Sequence, residues 1–318
     1  MKGRRKIAAR VRYSLFIWGV FLLLSVTSRA QQDPVYTQYM NNLMSVNPAY
    51  TGVRGVGSFS TVFRKQWLNL NGAPLTSSLT MSLPLDSLHI GGGFDYMYDN
   101  VGPLTTTAIF LDYSYRIQTT GTTHLSFGLK GGFNFVQANL KDLFRHDYDD
   151  QYILEYGEFS RFMPNFGVGV FWYGEDFYAG LAIPRLLQNK YYKDVAIVEA
   201  ASREERHYFL QGAYQFRLSP YLVFKPGITT IIVAGAPVTA DFDFSFMALD
   251  KFWFGAMYRI SDALGGYVQM QVQENLKIGF SYEYPHTRLS QFNNGTIEVM
   301  LRYDFKTKPT QLLPFAGF

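Results

Sequence analysis

The five histidines are the side chains of this sequence best suited to general acid–base chemistry. They are His89, His124, His146, His207 and His286. Hydrolysis would also need a serine beside one of them, and no Gly-x-Ser-x-Gly elbow occurs. Three histidines fall at predicted turns or strand ends, His146 falls in a charged loop, and His207 opens a predicted strand on its polar face. The sequence therefore predicts a protein that is not an enzyme.

Metal and nucleotide chemistry have equally little support. Asp147, Asp149 and Asp150 resemble part of a calcium loop, but the central Gly and the later bidentate Glu are missing. Gly91-Gly92-Gly93 lacks phosphate-loop spacing and is not followed by a Lys-Ser/Thr pair. The chain contains no cysteine, which excludes disulfides and thiolate zinc ligands. We therefore expect no cofactor and no resident metal ion.

Residues 1–30 have the organisation of a secretory signal peptide. A basic head, an apolar stretch from Leu15 to Leu24 and the tripeptide Ser28-Arg29-Ala30 follow in order, which predicts cleavage after Ala30. A membrane anchor fits less well because the apolar stretch is too short to span a bilayer. Cleavage removes seven of the 29 basic residues and none of the 25 acidic ones, which leaves 22 against 25 and a net charge of −3. That balance gives nucleic-acid binding no support.

The remaining chain alternates between two kinds of side chain from Gly57 onward. Between Leu125 and Phe135, large apolar residues occupy nearly every odd position, and Ser, Gly, Lys or Asn occupies the even ones. This period of two is typical of strands with two different faces. No later stretch is long and apolar enough for a spanning helix. Lipid outside and a polar lumen inside explain the asymmetry, so the predicted fold is an all-β, antiparallel transmembrane β-barrel in the outer membrane.

The alternation predicts about fourteen strands. Their approximate ranges are 57–64, 75–85, 89–98, 104–117, 123–137, 164–173, 176–183, 205–217, 221–231, 239–247, 251–259, 265–272, 275–284 and 295–305. Alternate connections are short, whereas the intervening ones are mostly longer, above all 138–163 and 184–204. Outer-membrane barrels have short periplasmic turns and longer external loops. With an even strand count, this pattern places both termini in the periplasm and leaves residues 306–318 as a C-terminal tail.

Charged residues of both signs fall on the predicted lumen face. They are Asp112, Arg116, Lys130, Asp241, Asp243, Lys251, Glu283, Glu298, Arg302 and Asp304. In an open porin such charges would set ion selectivity, and in a closed barrel they would form ion pairs. The near balance of signs favours pairing.

Two kinds of segment lie outside the alternating pattern. Residues 31–56 are rich in Tyr, Asn and Met and include the turn-forming run from Asn47 to Gly52. This segment either plugs the lumen, lies across the periplasmic mouth or is a passive N-terminal arm. The long connections carry mixed charge, which is typical of solvated loops but also of loops that recognise partners.

Motifs along the whole mature chain resemble the PorP/SprF family of the Bacteroidetes type IX secretion and gliding apparatus. The most specific are Asp33-Pro34-x-Tyr36-x-Gln38-Tyr39-Met40, Asn47-Pro48-Ala49-Tyr50-Thr51-Gly52 and Arg64-x-Gln66-Trp67, with Tyr258-Arg259 and Gly295-x-x-Glu298-x-x-x-Arg302-Tyr303-x-Phe305 near the end. Thr51 stands where the family usually has Ala, and the long loops are individual to this sequence.

The resemblance implies a non-enzymatic barrel that docks or anchors secreted cargo at the cell surface. Implied partners are outer-membrane lipid, secreted proteins with a C-terminal sorting domain (gliding adhesins among them), periplasmic ring components and a peptidoglycan-binding linker. The candidates for partner contact are the motif residues Asp33, Pro34, Gln38, Tyr39, Asn47, Pro48, Tyr50, Gly52, Arg64, Gln66 and Trp67. The alternative is a diffusion channel for small or apolar solutes, which would need a lumen that residues 31–55 do not block.

Overall fold

The wall of the protein is a single antiparallel sheet that closes on itself. The computed structural model describes residues 35–139, 158–190 and 203–305. The strands are β1 Gly57–Lys65, β2 Leu75–Leu85, β3 Ile90–Val101, β4 Leu104–Gln118, β5 His124–Asn139, β6 Glu158–Tyr173, β7 Phe177–Ile183, β8 His207–Tyr214, β9 Phe216–Ser219, β10 Leu222–Val233, β11 Thr239–Ala248, β12 Phe252–Arg259, β13 Ala263–Gln273, β14 Leu276–Pro285 and β15 Thr296–Phe305. Segments β8 and β9 form one barrel strand interrupted at Gln215, so fourteen strands surround the lumen.

The barrel closes where the first and last strands meet. β1 pairs with β15 from Gly57↔Phe305 to Lys65↔Ile297, and with β2 along its other edge. Closure pairs the first and last strands along both of their edges, so neither presents a row of unpaired backbone groups that a bilayer could not satisfy. The predicted all-β antiparallel barrel and its strand number are confirmed. None of the helices in the described part of the chain is long and apolar enough to cross a membrane.

The two faces of the wall have the chemistry that the alternation predicts. On β5, Ser126 and Lys130 point into the lumen and are buried, whereas Phe127 and Leu129 are 44% and 59% exposed on the outside. On β4, Ser114 is fully buried and Leu111 is 65% exposed. The outer surface is thus apolar, as lipid contact requires, and the inner surface is polar.

The barrel has a turn end and a loop end. Residues 86–89, 119–123, 174–176, 220–221, 249–251 and 274–275 connect strands at the turn end, where Gly57 and Phe305 also lie. Residues 66–74, 102–103, 234–238, 260–262 and 286–295 connect strands at the loop end, as do the stretches that join β5 to β6 and β7 to β8. The connections at the loop end are mostly the longer ones, and 102–103 and 260–262 are short exceptions.

One strand begins well before its predicted start. β6 begins at Glu158, whereas the sequence predicted a start at residue 164. β7 pairs with β6 only from Val168 onward. The Pro164 carbonyl accepts a hydrogen bond from Asn189 Nδ2 at 3.0 Å, so the backbone groups of Pro164 face the edge that β7 does not reach. Proline is tolerated there because no ladder bond is lost.

Residues 35–56, which we call the arm, lie inside the barrel. They form a single helical turn at Leu43–Val46 between two 3₁₀ turns, Tyr39–Asn41 and Pro48–Tyr50. The Asn47 side chain accepts a hydrogen bond from the Ala49 N–H at 3.0 Å, which caps the last turn. Side chains fill the interior of an eight-stranded barrel, but a wider one needs further material. The arm supplies that material.

The described ends of the chain lie at opposite ends of the barrel. Val35 lies among loop-end residues such as Trp67 and Val101, whereas Phe305 lies at the turn end. The barrel's own ends, Gly57 and Phe305, lie together at the turn end, as an even strand number requires. The prediction that both termini lie in the periplasm concerns residues outside the described ones and stays a prediction. Strand counting did not include the additional crossing that the arm makes through the lumen.

Candidate functional site

A buried ion cluster holds the start of the arm near the loop end. Arg64 of β1 contacts Glu283 of β14 at 2.7 Å and Glu298 of β15 at 3.2 Å. The Thr37 hydroxyl donates to Glu283 at 2.6 Å and accepts from Arg64 at 2.9 Å. The backbone N–H groups of Thr37 and Gln38 donate to Glu298 at 3.1 and 3.2 Å. We call these residues the clamp.

The clamp shows why the wall needs the arm. Arg64 and Glu298 are 1% and 0% exposed, and burying such charges is costly unless each finds several partners. Two carboxylates face Arg64, which leaves acceptor capacity that the arm's N–H groups and hydroxyl fill. The arm and the wall charges therefore stabilise each other.

The opposite end of the arm is fixed by a second ion pair. Arg54 donates two hydrogen bonds to Asp304, with lengths of 2.6 and 2.9 Å. Just before it, Gly52 accepts from Arg116 at 3.1 Å and donates to Ser82 at 2.8 Å. Bidentate arginine–carboxylate contacts are among the stronger side-chain interactions. Both ends of the arm are thus bound to the wall.

Glycines of the wall make room for the middle of the arm. A Cβ atom built on Gly128 would lie 2.0 Å from the backbone nitrogen of Ala49, and one on Gly91 would lie 2.4 Å from the carbonyl oxygen of Thr51. A Cβ atom on Gly169 would lie 2.1 Å from Asn47 Oδ1. The small inner face predicted around Gly91-Gly92-Gly93 is thus one of the places where the arm closely approaches the wall.

Lys130 links the arm to two wall carboxylates. Its ammonium group donates to Asp95 at 2.5 Å and to the Ser45 carbonyl at 3.1 Å, and it lies 3.6 Å from Asp112. The lysine comes from β5 and the carboxylates from β3 and β4, so adjacent strands bring the three together.

Most predicted lumen charges lie inside the barrel. Asp112, Lys130, Asp241, Asp243, Glu283, Glu298 and Arg302 are buried, and Arg116 and Asp304 are partly buried. The placement of Lys251 is corrected: it is exposed in the turn after β11. Leu249 and Asp250 both have positive φ, at 56° and 53°, and this tight turn ends the strand before Lys251 can enter the lumen.

Sequence reasoning missed several buried charges as lumen residues. They are Arg54, Arg64, Asp95, Lys225, Arg259 and Lys277. Arg259 contacts Asp241 at 2.8 Å and also donates to the Tyr36 carbonyl at 3.3 Å. Alternation could have found Lys277, because it shares parity with the predicted lumen residue Glu283 on β14.

The motif residues proposed as partner contacts lie largely inside the molecule. Gln38, Tyr39, Asn47, Pro48, Gly52 and Arg64 are buried, and Tyr50, Gln66 and Trp67 are half-buried. The buried residues form contacts between the arm and the wall, because the arm lies in the lumen. The prediction that they contact a partner directly is corrected. Asp33 and Pro34 lie outside the described residues, as do the predicted signal peptide, the tail 306–318 and His146 with the neighbouring aspartates.

A cavity of about 650 Å³, the vestibule, lies at the loop end above the clamp. Val35, Trp67, Met97, Val101, Leu104 and Val238 give it apolar walls. Five carboxylates line it, those of Asp99, Glu204, Glu205, Asp262 and Glu283, against the guanidinium groups of Arg185, Arg203 and Arg259. Glu204 is buried and accepts hydrogen bonds from Asn165 and Asn189 at 3.1 and 2.8 Å. The vestibule is a concave surface that faces the loop end.

The candidate residues for catalysis and metal binding are dispersed. His89 and His286 lie in connections at opposite ends of the barrel, and His124 and His207 begin strands at opposite ends. Among the described residues, no group of three or more His, Cys, Asp or Glu side chains could hold a metal ion.

A closed barrel with an apolar outer face and a polar, plugged lumen defines the class: this is an outer-membrane β-barrel protein. A family model described as "Type IX secretion system membrane protein PorP/SprF" matches residues 28–303. The chain therefore belongs to the PorP/SprF family. No curated protein sequence matches it.

Solved structures share its fold at low sequence identity. The CymD monoaromatic hydrocarbon channel superposes with a TM-score of 0.53 at 10% identity, covering 86% of this chain and 94% of that one. The Ralstonia pickettii toluene transporter TbuX gives 0.48 at 9% identity, covering 81% and 91%. The Acinetobacter baumannii outer membrane protein Omp33 gives 0.46 at 8%, covering 79% and 98%. At such identities the likeness to CymD indicates the fold alone.

Proposed function

We propose that this outer-membrane component of the type IX secretion system docks or anchors exported proteins at the cell surface and does not act as a pore. The observation that carries the proposal is the arm, which occupies the lumen and is bound to the wall from the clamp to the Arg54–Asp304 pair. A barrel filled in this way offers its loop end and its turn end as surfaces. Binding of a protein at either surface does not require solute to pass through the barrel.

Exported cargo would meet the loop end, and the periplasmic machinery would meet the turn end. The vestibule is a concave surface at the loop end, and pockets of its size bind small ligands or short segments. The family resemblance adds the partner classes: cargo with a C-terminal sorting domain outside, and ring components with a peptidoglycan-binding linker inside.

A deletion strain tests this function. Without the protein, one or more exported adhesins should lose surface attachment, while uptake of small solutes stays unchanged. Complementation with the native gene should restore attachment. Unaltered display of every exported protein in the deletion strain would contradict the proposal.

The alternative function is a diffusion channel for small or apolar solutes. Its support is the fold shared with a hydrocarbon channel, together with the apolar part of the vestibule lining. Passage would require the arm to leave its buried contacts. Loss of solute uptake in the deletion strain, with cargo display intact, would favour this alternative.

A further inference from the structure

The arm runs through the lumen in one direction, from the loop end to the turn end. Val35 lies in the vestibule, and Thr37 contacts Arg64 and Glu298, close to the loop-end termini of β1 and β15. Farther along the arm, Ser45 meets Lys130, and Thr51 accepts from Ser114 at 2.6 Å. Arg54 reaches Asp304 beside the turn-end terminus of β15. The order of wall contacts follows the order of the arm's residues.

This direction determines where the preceding chain leaves the barrel. β1 starts at the turn end, and the arm has already crossed the lumen once before reaching it. Val35, the first described residue of the arm, therefore lies at the loop end, the face that carries the long connections.

The arm and the wall form the vestibule floor together. Val35 lines the cavity, and the next two arm residues bind cavity-lining side chains: Tyr36 accepts from Arg259, and Thr37 donates to Glu283. A ligand in the vestibule thus touches both the arm and the charged groups that hold it. Among the described lining residues, five carboxylates face three guanidinium groups, so the cavity favours positive charge.

We propose that the chain before Val35 emerges on the loop-end face, and that the vestibule floor built by Val35, Arg259 and Glu283 binds an extended basic segment of an exported protein. The partner half of this inference rests on the proposed function. The direction of the arm does not. The cavity volume suits a few residues of chain and excludes a folded domain.

Single cysteines test the direction of the arm, because the chain has none of its own. Gln32→Cys and Val35→Cys are compared with V238C at the loop end and T120C at the turn end, using a membrane-impermeant maleimide on intact cells. Val238 and Thr120 are both exposed and serve as matched references for the two faces. We expect Q32C and V35C to react from the same side of the membrane as V238C.

Reaction of Q32C and V35C from the side of T120C would overturn the inference. If V238C itself reacts only after membrane disruption, the loops face the periplasm and the proposed cargo site fails. The arm inference would still stand as long as Q32C follows V238C. The two failures are therefore distinguishable.

The ligand chemistry is tested on the purified full-length V35C protein. A pentalysine peptide should slow labelling of the thiol introduced by V35C several-fold, whereas pentaglutamate should not. T120C, at the turn end and away from the cavity, is labelled in parallel as a control for general effects of the peptides. Equal protection by both peptides, or protection by neither, would overturn the assignment of a basic segment.

Discussion

Some wall positions need a glycine because the arm lies directly against them, and Gly128 is one of these positions. Gly128→Ala would place a methyl group 2.0 Å from the Ala49 nitrogen, so the arm must move. We expect a loss of stability of about 1–3 kcal/mol, as for overpacked interiors. Urea unfolding of the purified protein in liposomes measures it.

The matched control for Gly128→Ala is Gly92→Ala. A Cβ atom on Gly92 meets nothing within 4 Å, although Gly92 also lies within a strand of the wall. If both variants lose the same stability, strand propensity and not contact with the arm determines the effect.

Arg64 is a second residue whose environment decides its contribution. Arg64→Met removes the one cation within hydrogen-bonding distance of both Glu283 and Glu298 among the described residues. Removing one partner of a buried ion pair typically costs about 3–5 kcal/mol, because the remaining charge is left uncompensated. We expect that loss in the same unfolding assay.

Arg203→Met provides the comparison for an exposed pair. The Arg203 side chain is 51% exposed and contacts Glu205 at 2.6 Å. Exposed ion pairs contribute about 0–1 kcal/mol, so this variant should unfold almost like the native protein. Equal effects of the two substitutions would contradict the role of the clamp.

Alternation in the sequence predicts which side chains face inward, but not which of them meet. Asp112 and Lys130 were predicted as lumen charges, yet their shared neighbour Asp95 was missed. Pairing depends on the register between strands, which period-two patterns in single strands do not contain. Alternation also does not show where a strand ends. Lys251 occupies an odd position like the inward-facing residues of β11, but it lies in the turn beyond that strand.

The arm is the element that sets this barrel apart from an open channel. Deleting residues 31–54 while keeping the leader should produce a barrel that conducts ions in a planar bilayer, because the arm is a segment that runs along the lumen from the clamp to Asp304. The intact protein should conduct far less. The native protein and the deletion variant are recorded under the same salt and voltage.

A deletion of residues 306–318 is the control for the arm deletion. It removes residues at the other end of the chain and leaves the clamp and the Arg54–Asp304 pair in place. Conductance of the intact protein equal to that of the arm deletion would show that the arm does not block the lumen.

The strands were predictable as elements, whereas the position of the arm was not. Each strand has one face toward lipid and the other toward the lumen. Its sequence therefore alternates between apolar and polar residues with a period of two. The arm is enclosed on all sides and has no such contrast, so its sequence indicated only turns. Its motif residues are buried because they match particular wall groups, as Asn47 matches the space beside Gly169.

At the scale of the whole molecule, the residues that hold the arm in the barrel lie apart from the loops that we propose recognise cargo. The clamp and the wall glycines act within the lumen, whereas the long connections lie at one end. Replacing residues 140–157 and 191–202 with those of another family member should change which exported protein co-purifies, because the barrel and arm stay the same. Replacing the turn 119–123 in the same way should leave the bound cargo unchanged. Cargo preference that ignores the loop exchange would place recognition elsewhere.

The direction of the arm also constrains how the molecule can be assembled. The arm belongs to the first part of the chain, but its clamp partners Glu283 and Glu298 belong to the last two strands. β1 and β15 then form the ladder that completes the ring. Contacts between such distant parts of a chain slow folding, because a long loop must close before they form. The clamp is complete only when β14 and β15 stand beside β1, so binding of the start of the arm is coupled to closure of the ring.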